Sequence, residues 1–271
     1  MRSRVLTLIL FICGCSSVFS LDTIQNSGTA NSAPKRDFKY SVRGGIGAQG
    51  MLGLFFPTDI NSYIEDLNTS IKNEFLAFIS SNESHTIHWG YGYALNAEIR
   101  AYSLLQLEPY WKRFYSFPLQ ILYEQMNSIG RLQATYKFQL SSDEKGVSLL
   151  LVPGSKKNSV FLTIGVGFGV LQGQFTQSTT GEKWSHGIYT KLDNNRTYKG
   201  TGNAYHGTVG LTFEPWHYLE LEVLLNGKYS LIKTLKDETG ATFTNAYRNH
   251  EPVSLNFSGV DLRIGCKFIF P

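Results

Sequence analysis

The feature that most restricts what this chain can fold into is a strict alternation of apolar with polar or small side chains, kept up over unusually long runs. Between Ile87 and Ala101, one face takes Ile87, Trp89, Tyr91, Tyr93, Leu95, Ala97, Ile99 and Ala101, and the other takes His88, Gly90, Gly92, Ala94, Asn96, Glu98 and Arg100. A period of two puts successive side chains on opposite sides of a strand. One face is therefore fit for lipid and the other for a crowded or charged interior. The pattern returns at Val160, Leu162, Ile164, Val166, Phe168 and Val170, then over Tyr205 to Phe213, then at Leu219, Leu221, Val223 and Leu225 against Glu220, Glu222, Asn226 and Lys228. It closes the chain with Val260, Leu262, Ile264, Cys266, Phe268 and Phe270 set against Asp261, Arg263, Gly265 and Lys267. A tilted strand crossing an outer membrane needs roughly 9 to 11 residues, which these runs supply.

The connections alternate between short and long. A tight turn near Tyr102 to Leu104 leads into a strand from Leu105 to Phe114, and Glu214-Pro215-Trp216-His217 joins two others. Long polar stretches cover 57–86, 176–203 and 231–252. Short turns on one side and long loops on the other predict an all-β, transmembrane, antiparallel up-and-down β-barrel, with the long loops external and both termini periplasmic. A first strand from Phe38 to Phe56 brings the count to about eight. The stretch from Tyr115 to Asn158, holding Leu132 to Leu140 and Val147 to Val152, reads either as one strand plus a turn or as an added hairpin, which makes ten strands the alternative. In the first long loop, Ile64, Leu67, Ile71, Phe75 and Phe78 recur at spacings of three and four. This predicts one amphipathic helix from about Asp59 to Ser80, with Asp59 as N-cap, closing or plugging the barrel mouth.

The N-terminus fits export to such a site. Arg2 and Arg4 precede the apolar run Val5 to Ile12, which is too short to span a bilayer, and Cys13 to Ser17 are small. Residues 1–20 read as a signal peptide, 21–36 as a flexible periplasmic arm and 37–271 as the barrel. Two processing readings stand: cleavage that releases Leu21, or lipidation at Cys15. Removal of the export segment leaves Cys266 as the lone cysteine, so no internal disulfide can form. Without Arg2 and Arg4, Lys and Arg fall from 25 to 23 against 21 acids, a balance that argues against nucleic acid as a partner.

The polar faces carry a predicted lumen charge network of Arg43, Glu98, Arg100, Glu108, Glu220, Glu222, Asp261, Arg263 and Lys267, joined by Lys39 and Glu214. On neighbouring strands Glu220 and Glu222 can face Arg263 and Lys267, and Arg43 can face Glu98. In a narrow barrel such pairs act as a structural plug or line a selective pore. The outward aromatics divide by depth: Trp89, Tyr91, Trp111, Tyr205 and Tyr229 toward the loops, and Phe38, Tyr40, Phe213, Phe268 and Phe270 toward the turns, the two girdles of a membrane-spanning barrel. Turned inside out, the same alternation describes a soluble periplasmic lipocalin-like carrier.

Other chemistry is weakly signalled. Gly45-Ile46-Gly47-Ala48-Gln49-Gly50 matches a dinucleotide fingerprint, yet it lies inside an alternating strand instead of between a strand and a helix. His85 and His88 point to different faces of extended chain, so no metal is expected. His206 and His88 lack an evident nucleophile and acid at matching depth, so neither an enzyme nor a cofactor is expected.

The Gly-rich Val42-Arg43-Gly44-Gly45-Ile46-Gly47, the turn Glu214-Pro215-Trp216-His217-Tyr218-Leu219-Glu220-Leu221 and the terminal strand Val260 to Phe270 resemble the small outer-membrane barrels of the OmpA-barrel, OmpW and Opa type. The resemblance implies outer-membrane lipid around the wall and barrel-assembly machinery that reads a last strand ending in an aromatic. Phe268 and Phe270 match that signal, and Pro271 displaces Phe270 from the final position. The expected role is non-enzymatic. External loops contact a host or cell-surface ligand, with a narrow solute channel as the alternative.

Overall fold

The computed structural model describes residues 42–75, 78–79, 86–101, 104–126, 130–152, 160–185 and 187–270. The export segment, the arm, Phe38, Lys39, Tyr40, His85 and Pro271 lie outside the described residues. The elements are β1 (Arg43–Phe55), α1 (Thr58–Phe75), β2 (Phe78–Ile79), β3 (Trp89–Ala101), β4 (Leu105–Ser116), β5 (Leu119–Met126), β6 (Gly130–Leu151), β7 (Val160–Ser185), β8 (Ile188–Trp216), β9 (Leu219–Ile232), β10 (Thr244–Asn245), β11 (Glu251–Pro252), β12 (Leu255–Asn256) and β13 (Gly259–Phe270).

Strand pairing closes a ring. From Gly44 on β1 the cross-strand partners run Ile99, Leu107, Leu149, Val166, Gly207, Gly227 and Val260, and Val260 pairs back onto β1 at Leu54. Eight strands are crossed, all antiparallel, so the eight-strand reading holds and the ten-strand alternative does not. The circuit returns to β1 ten residues from its start, and this stagger tilts the strands by about 40° from the barrel axis. At that tilt one residue advances about 2.5 Å along the axis.

The wall is apolar outside. Trp89, Leu95, Ile99, Val147, Leu149, Ile164, Val166, Leu211, Val223, Leu225, Ile264 and Phe268 are all exposed, while Asn96, Glu98, Arg100, Glu108, Glu220, Glu222 and Lys267 point inward and are buried. This is the reverse of a lipocalin-like carrier, which would hide the apolar face. The outward run on β13 from Val260 to Phe270 covers about 25 Å along the axis, the height of the apolar band of a membrane-spanning barrel. Among the described residues no helix is long and apolar enough to cross a membrane.

On one side the wall continues beyond the band. β7 and β8 stay paired from Val160↔Phe213 to Ser185↔Ile188 without interruption, and β6 accompanies β7 up to Gly130↔Ser185. The stretch 176–203 is thus a continuous hairpin and not an irregular loop. Its Thr, Gln and Tyr residues satisfy the strand ladder, but beyond the lipid no strict apolar alternation is required. Segment 115–158 resolves in the same terms. β4 pairs with β6 up to Tyr115↔Ser141, Phe117-Pro118 interrupts the ladder, and β5 resumes on β6 from Leu119↔Phe138, one residue out of register. Proline has no N–H to donate. The Ser116 hydroxyl accepts the stranded Leu140 N–H at 2.9 Å.

Helix α1 lies against the inner side of this raised sheet. Ile60, Ile64, Leu67 and Ile71, spaced three or four apart, are buried with Tyr123, Phe138, Leu171, Phe175 and Tyr198 of the sheet and with Leu235, Phe243, Val253, Leu255 and Phe257 of the 233–258 segment. Asp59 is not the N-cap. The helix begins one residue earlier, and the Asp59 carboxylate accepts the Ser254 N–H at 3.2 Å and its hydroxyl at 2.5 Å.

Candidate functional site

The barrel interior is a packed electrolyte. Near the turn end, Lys267 donates from one ammonium to Glu108 at 2.5 Å and lies 2.7 Å from Glu222 and 3.5 Å from Glu98. Arg100 spans Glu98 and Glu220, each at 2.9 Å, while Gln106 and Gln49 donate to Glu108 and Glu222. Nearer the mouth, Arg263 pairs with Asp261 at 2.8 Å, Asn226 donates to the same oxygen, and Glu144 gathers Lys112 at 3.5 Å, Lys228 at 3.7 Å and the Tyr110 hydroxyl at 2.8 Å. Arg43 lies at the rim 3.6 Å from Glu214, not beside Glu98. Gln49, Gln106, Tyr110, Lys112 and Glu144 were not picked out by sequence, although Lys112 and Glu144 are direct cross-strand partners. At Gly47 an added Cβ would overlap Asn96, Lys267 and a backbone carbonyl, which accounts for one glycine of the apparent dinucleotide fingerprint. Above this network sits the apolar floor of the mouth, Met51, Phe55, Phe114 and Phe257. Between the two lies a cavity of about 20 Å³, room for about one water.

One arrangement inside the lumen has the residue types of a hydrolytic triad. Ser148 Oγ lies 3.1 Å from His206 Nε2, and Glu144 lies 3.9 Å from His206 Nδ1. The second distance is too long for the hydrogen bond that orients a catalytic base, and Nδ1 has no hydrogen-bond partner. Ser148 and His206 are 2% and 5% exposed and lie buried within the lumen. Three inward residues on β6 and β8 meet here, and the weak sequence pattern across β6 conceals two of them.

The mouth is held by polar ties as well as by its apolar core. Arg248 grips the Asp66 carboxylate through Nε at 2.6 Å and Nη2 at 3.1 Å, and Asn245 donates to it at 2.7 Å. Burial alone would raise the Asp66 pKa; the hydrogen bonds from Arg248 and Asn245 outweigh it and hold the carboxyl below its usual value. Tyr63 donates to Gln177 at 2.9 Å across the helix–sheet seam. Burial, reinforced by Tyr247 and Tyr198, pushes its phenol well above the ordinary range. Tyr123 donates to Asn68 in the same seam.

The outer surface carries two further features. Trp89, Tyr91, Tyr205 and Tyr229 are exposed near the loop-side edge of the band and Phe213, Phe268 and Phe270 near the turn-side edge, with Trp111 half-buried and donating to Asp143. The far end of the β7–β8 hairpin bears Trp184, Ile188 and Tyr189, which are 48%, 67% and 49% exposed, with the Trp184 and Tyr189 rings 5.9 Å apart. From the Phe168↔Tyr205 pair to that end the hairpin runs for about 55 Å of strand.

No protein-family model matches the chain, and no curated protein does. In fold it is similar to a major outer membrane protein of Thermus thermophilus, at 12% identity over 85% of this chain and 100% of that one, with a TM-score of 0.43. It is also similar to the outer membrane protein OprG of Pseudomonas aeruginosa, at 11% identity over 84% and 96% with a TM-score of 0.37. A third likeness is to Ail, the attachment invasion locus protein of Yersinia pestis, at 11% identity over 84% and 98% with a TM-score of 0.34. The first two are named as outer membrane proteins, the class that the glycine-rich first strand and the terminal strand resemble.

Proposed function

We propose that this chain is an outer-membrane surface protein in which a closed barrel serves as anchor and the raised β7–β8 hairpin makes contact with a host or cell-surface partner. The observation that carries this reading is the hairpin itself. It is paired from the membrane band to its end, so it holds Trp184, Ile188 and Tyr189 at a fixed distance from the lipid. A cluster of exposed large apolar side chains at the end of a stiff arm has the composition of an interface centre, where aromatic anchors carry most of the binding energy. The interior supports the anchoring role, because its charges are buried and paired and the cavity where they meet the apolar plug has room for about one water.

The test replaces Trp184, Ile188 and Tyr189 together with Ser in cells that display the protein, and measures adherence to host-cell layers and to purified matrix proteins. Loss of two anchors worth about 2 kcal/mol or more each corresponds to a fall in affinity of at least about 700-fold, while heat-modifiable gel mobility shows the barrel assembled. Undiminished adherence with an assembled barrel would sink the reading.

A further inference from the structure

Two outward-facing features of the wall meet at the loop-side edge of the band. The lower is an apolar groove of about 820 Å³ on β6 to β9, lined by Val147, Val166, Phe168, Tyr205, Gly207 and Gly227, among others. Gly207 and Gly227 are direct cross-strand partners. Both face outward in a band that mostly presents Leu, Val, Ile and aromatics, with the isolated Gly50 on the opposite wall, and a Cβ added at either would meet nothing within 4 Å. Strand packing therefore does not demand glycine there, and the missing side chains leave an open slot at lipid depth. The upper feature is a polar groove of about 980 Å³ whose lining includes Arg113, Thr201, Asn203, Lys199, Lys233 and Lys236. Tyr205 and Tyr229 line both grooves, so they form one continuous surface.

Charge on the upper groove is one-sided. Its single acid, Asp143, is engaged by Arg113 at 3.6 Å and by the Trp111 indole. Lys199, Lys233 and Lys236 are exposed and form no ion pair among the described residues. Lys233 lies four residues beyond Tyr229 on the line of β9, and Lys199 lies six beyond Tyr205 on β8. At about 2.5 Å per residue these lysines stand roughly 10 to 15 Å past the tyrosines, and their side chains can reach back toward the interface. That depth suits a large phosphorylated headgroup better than a small one.

We propose that this wall is a seat for one anionic lipid of the loop-side leaflet, with an acyl chain over Gly207 and Gly227 and a large phosphorylated headgroup on Lys199, Lys233 and Lys236. The seat rests on the membrane-spanning fold and is independent of whatever the hairpin tip contacts. It binds by shape below the tyrosines and by charge above them, so each half can be removed separately.

The test is native mass spectrometry of detergent-released protein titrated with bis-phosphorylated lipid A and, in parallel, with phosphatidylcholine. Wild type is expected to hold one lipid A under activation that strips phosphatidylcholine. Lys199→Gln, Lys233→Gln and Lys236→Gln combined should weaken lipid A by about a hundredfold, given the usual gain per lysine near a charged membrane surface. Gly207→Leu with Gly227→Leu puts side chains into the slot from positions where an added Cβ meets nothing within 4 Å and should also abolish the one-to-one complex, while Gly50→Leu, on the opposite wall, leaves it intact. Equal retention in wild type and in either variant set, or equal retention of both lipids, overturns the seat. A protein that never enters membranes with heat-modifiable mobility would fail earlier, at the fold.

Discussion

Lys267 offers a direct measure of whether the lumen is dry. Its ammonium is fully buried and serves Glu108, Glu222 and Glu98 at 2.5, 2.7 and 3.5 Å. In Lys267→Met, Glu98 keeps Arg100 at 2.9 Å, but Glu108 and Glu222 lose their ammonium partner and are left with neutral donors such as the amides of Gln106 and Gln49. Stranding a buried charge by removing its partner costs about 3 to 5 kcal/mol; with two carboxylates affected and amides still donating, about 4 kcal/mol is expected. For a urea dependence of about 2 kcal/mol per molar, the unfolding midpoint in micelles falls by about 2 M. The assay is the ratio of compact to extended gel bands after equilibration in urea. Adding Glu108→Gln and Glu222→Gln to Lys267→Met should recover more than half of the loss, because the charges that need Lys267 are then gone. A Lys267→Met stability within about 0.5 kcal/mol of wild type would mean that water screens these groups as it does on a surface, and the packed-lumen argument would be refuted.

Two other outcomes follow from the mouth. Planar bilayers containing the protein should show no stepwise conductance, since the α1 plug and the charge network lie in series; porin-sized steps would contradict both. Asp66→Asn should loosen the 245–251 segment at neutral pH, raising its hydrogen-exchange rate by about threefold, the worth of an exposed pair. The Asp66 pKa is held below its ordinary value of 3.8 in the folded protein, so the clasp contributes fully above that value and is lost as pH falls through the folded pKa. Exchange in this segment, corrected for intrinsic rates, that stays flat from neutral to strongly acid pH would count against it.

The parts legible in the sequence are those that lipid constrains. Trp89 to Ala101 and Val260 to Phe270 must alternate because one face meets hydrocarbon and the other a narrow interior, and both run as strands with that facing, whereas Ile87, read as outward, precedes the strand and is buried in the core of the mouth. Above the band the constraint lapses. Thr176 to Thr179 and Asn194 to Thr197 read as loop, yet they are ladder partners. What orders them is Phe175 and Tyr198 packing on α1 and Phe243, contacts between residues far apart in sequence. The lumen was half legible for a related reason. Glu220 and Lys267 stand between apolar neighbours and announce their facing, whereas Lys112 lies in Trp111-Lys112-Arg113 and Glu144 in Asp143-Glu144-Lys145, where charge sits on both faces. Only the β4–β6 register separates the inward member from the outward ones.

The unbroken course of β7 and β8 has a mechanical meaning. If the far end of the hairpin is pulled away from the membrane, both strands move in one direction past β6, which is paired to β7 from Leu151↔Ile164 to Gly130↔Ser185. The hydrogen bonds along that seam are then strained side by side in shear, all at once, instead of opening one after another like a zipper. Because β7 and β8 stay paired from Val160↔Phe213 to Ser185↔Ile188, tension at the tip passes straight into the barrel hoop, and under the proposed role the weakest point under traction becomes the contact made by the tip and not the arm that carries it.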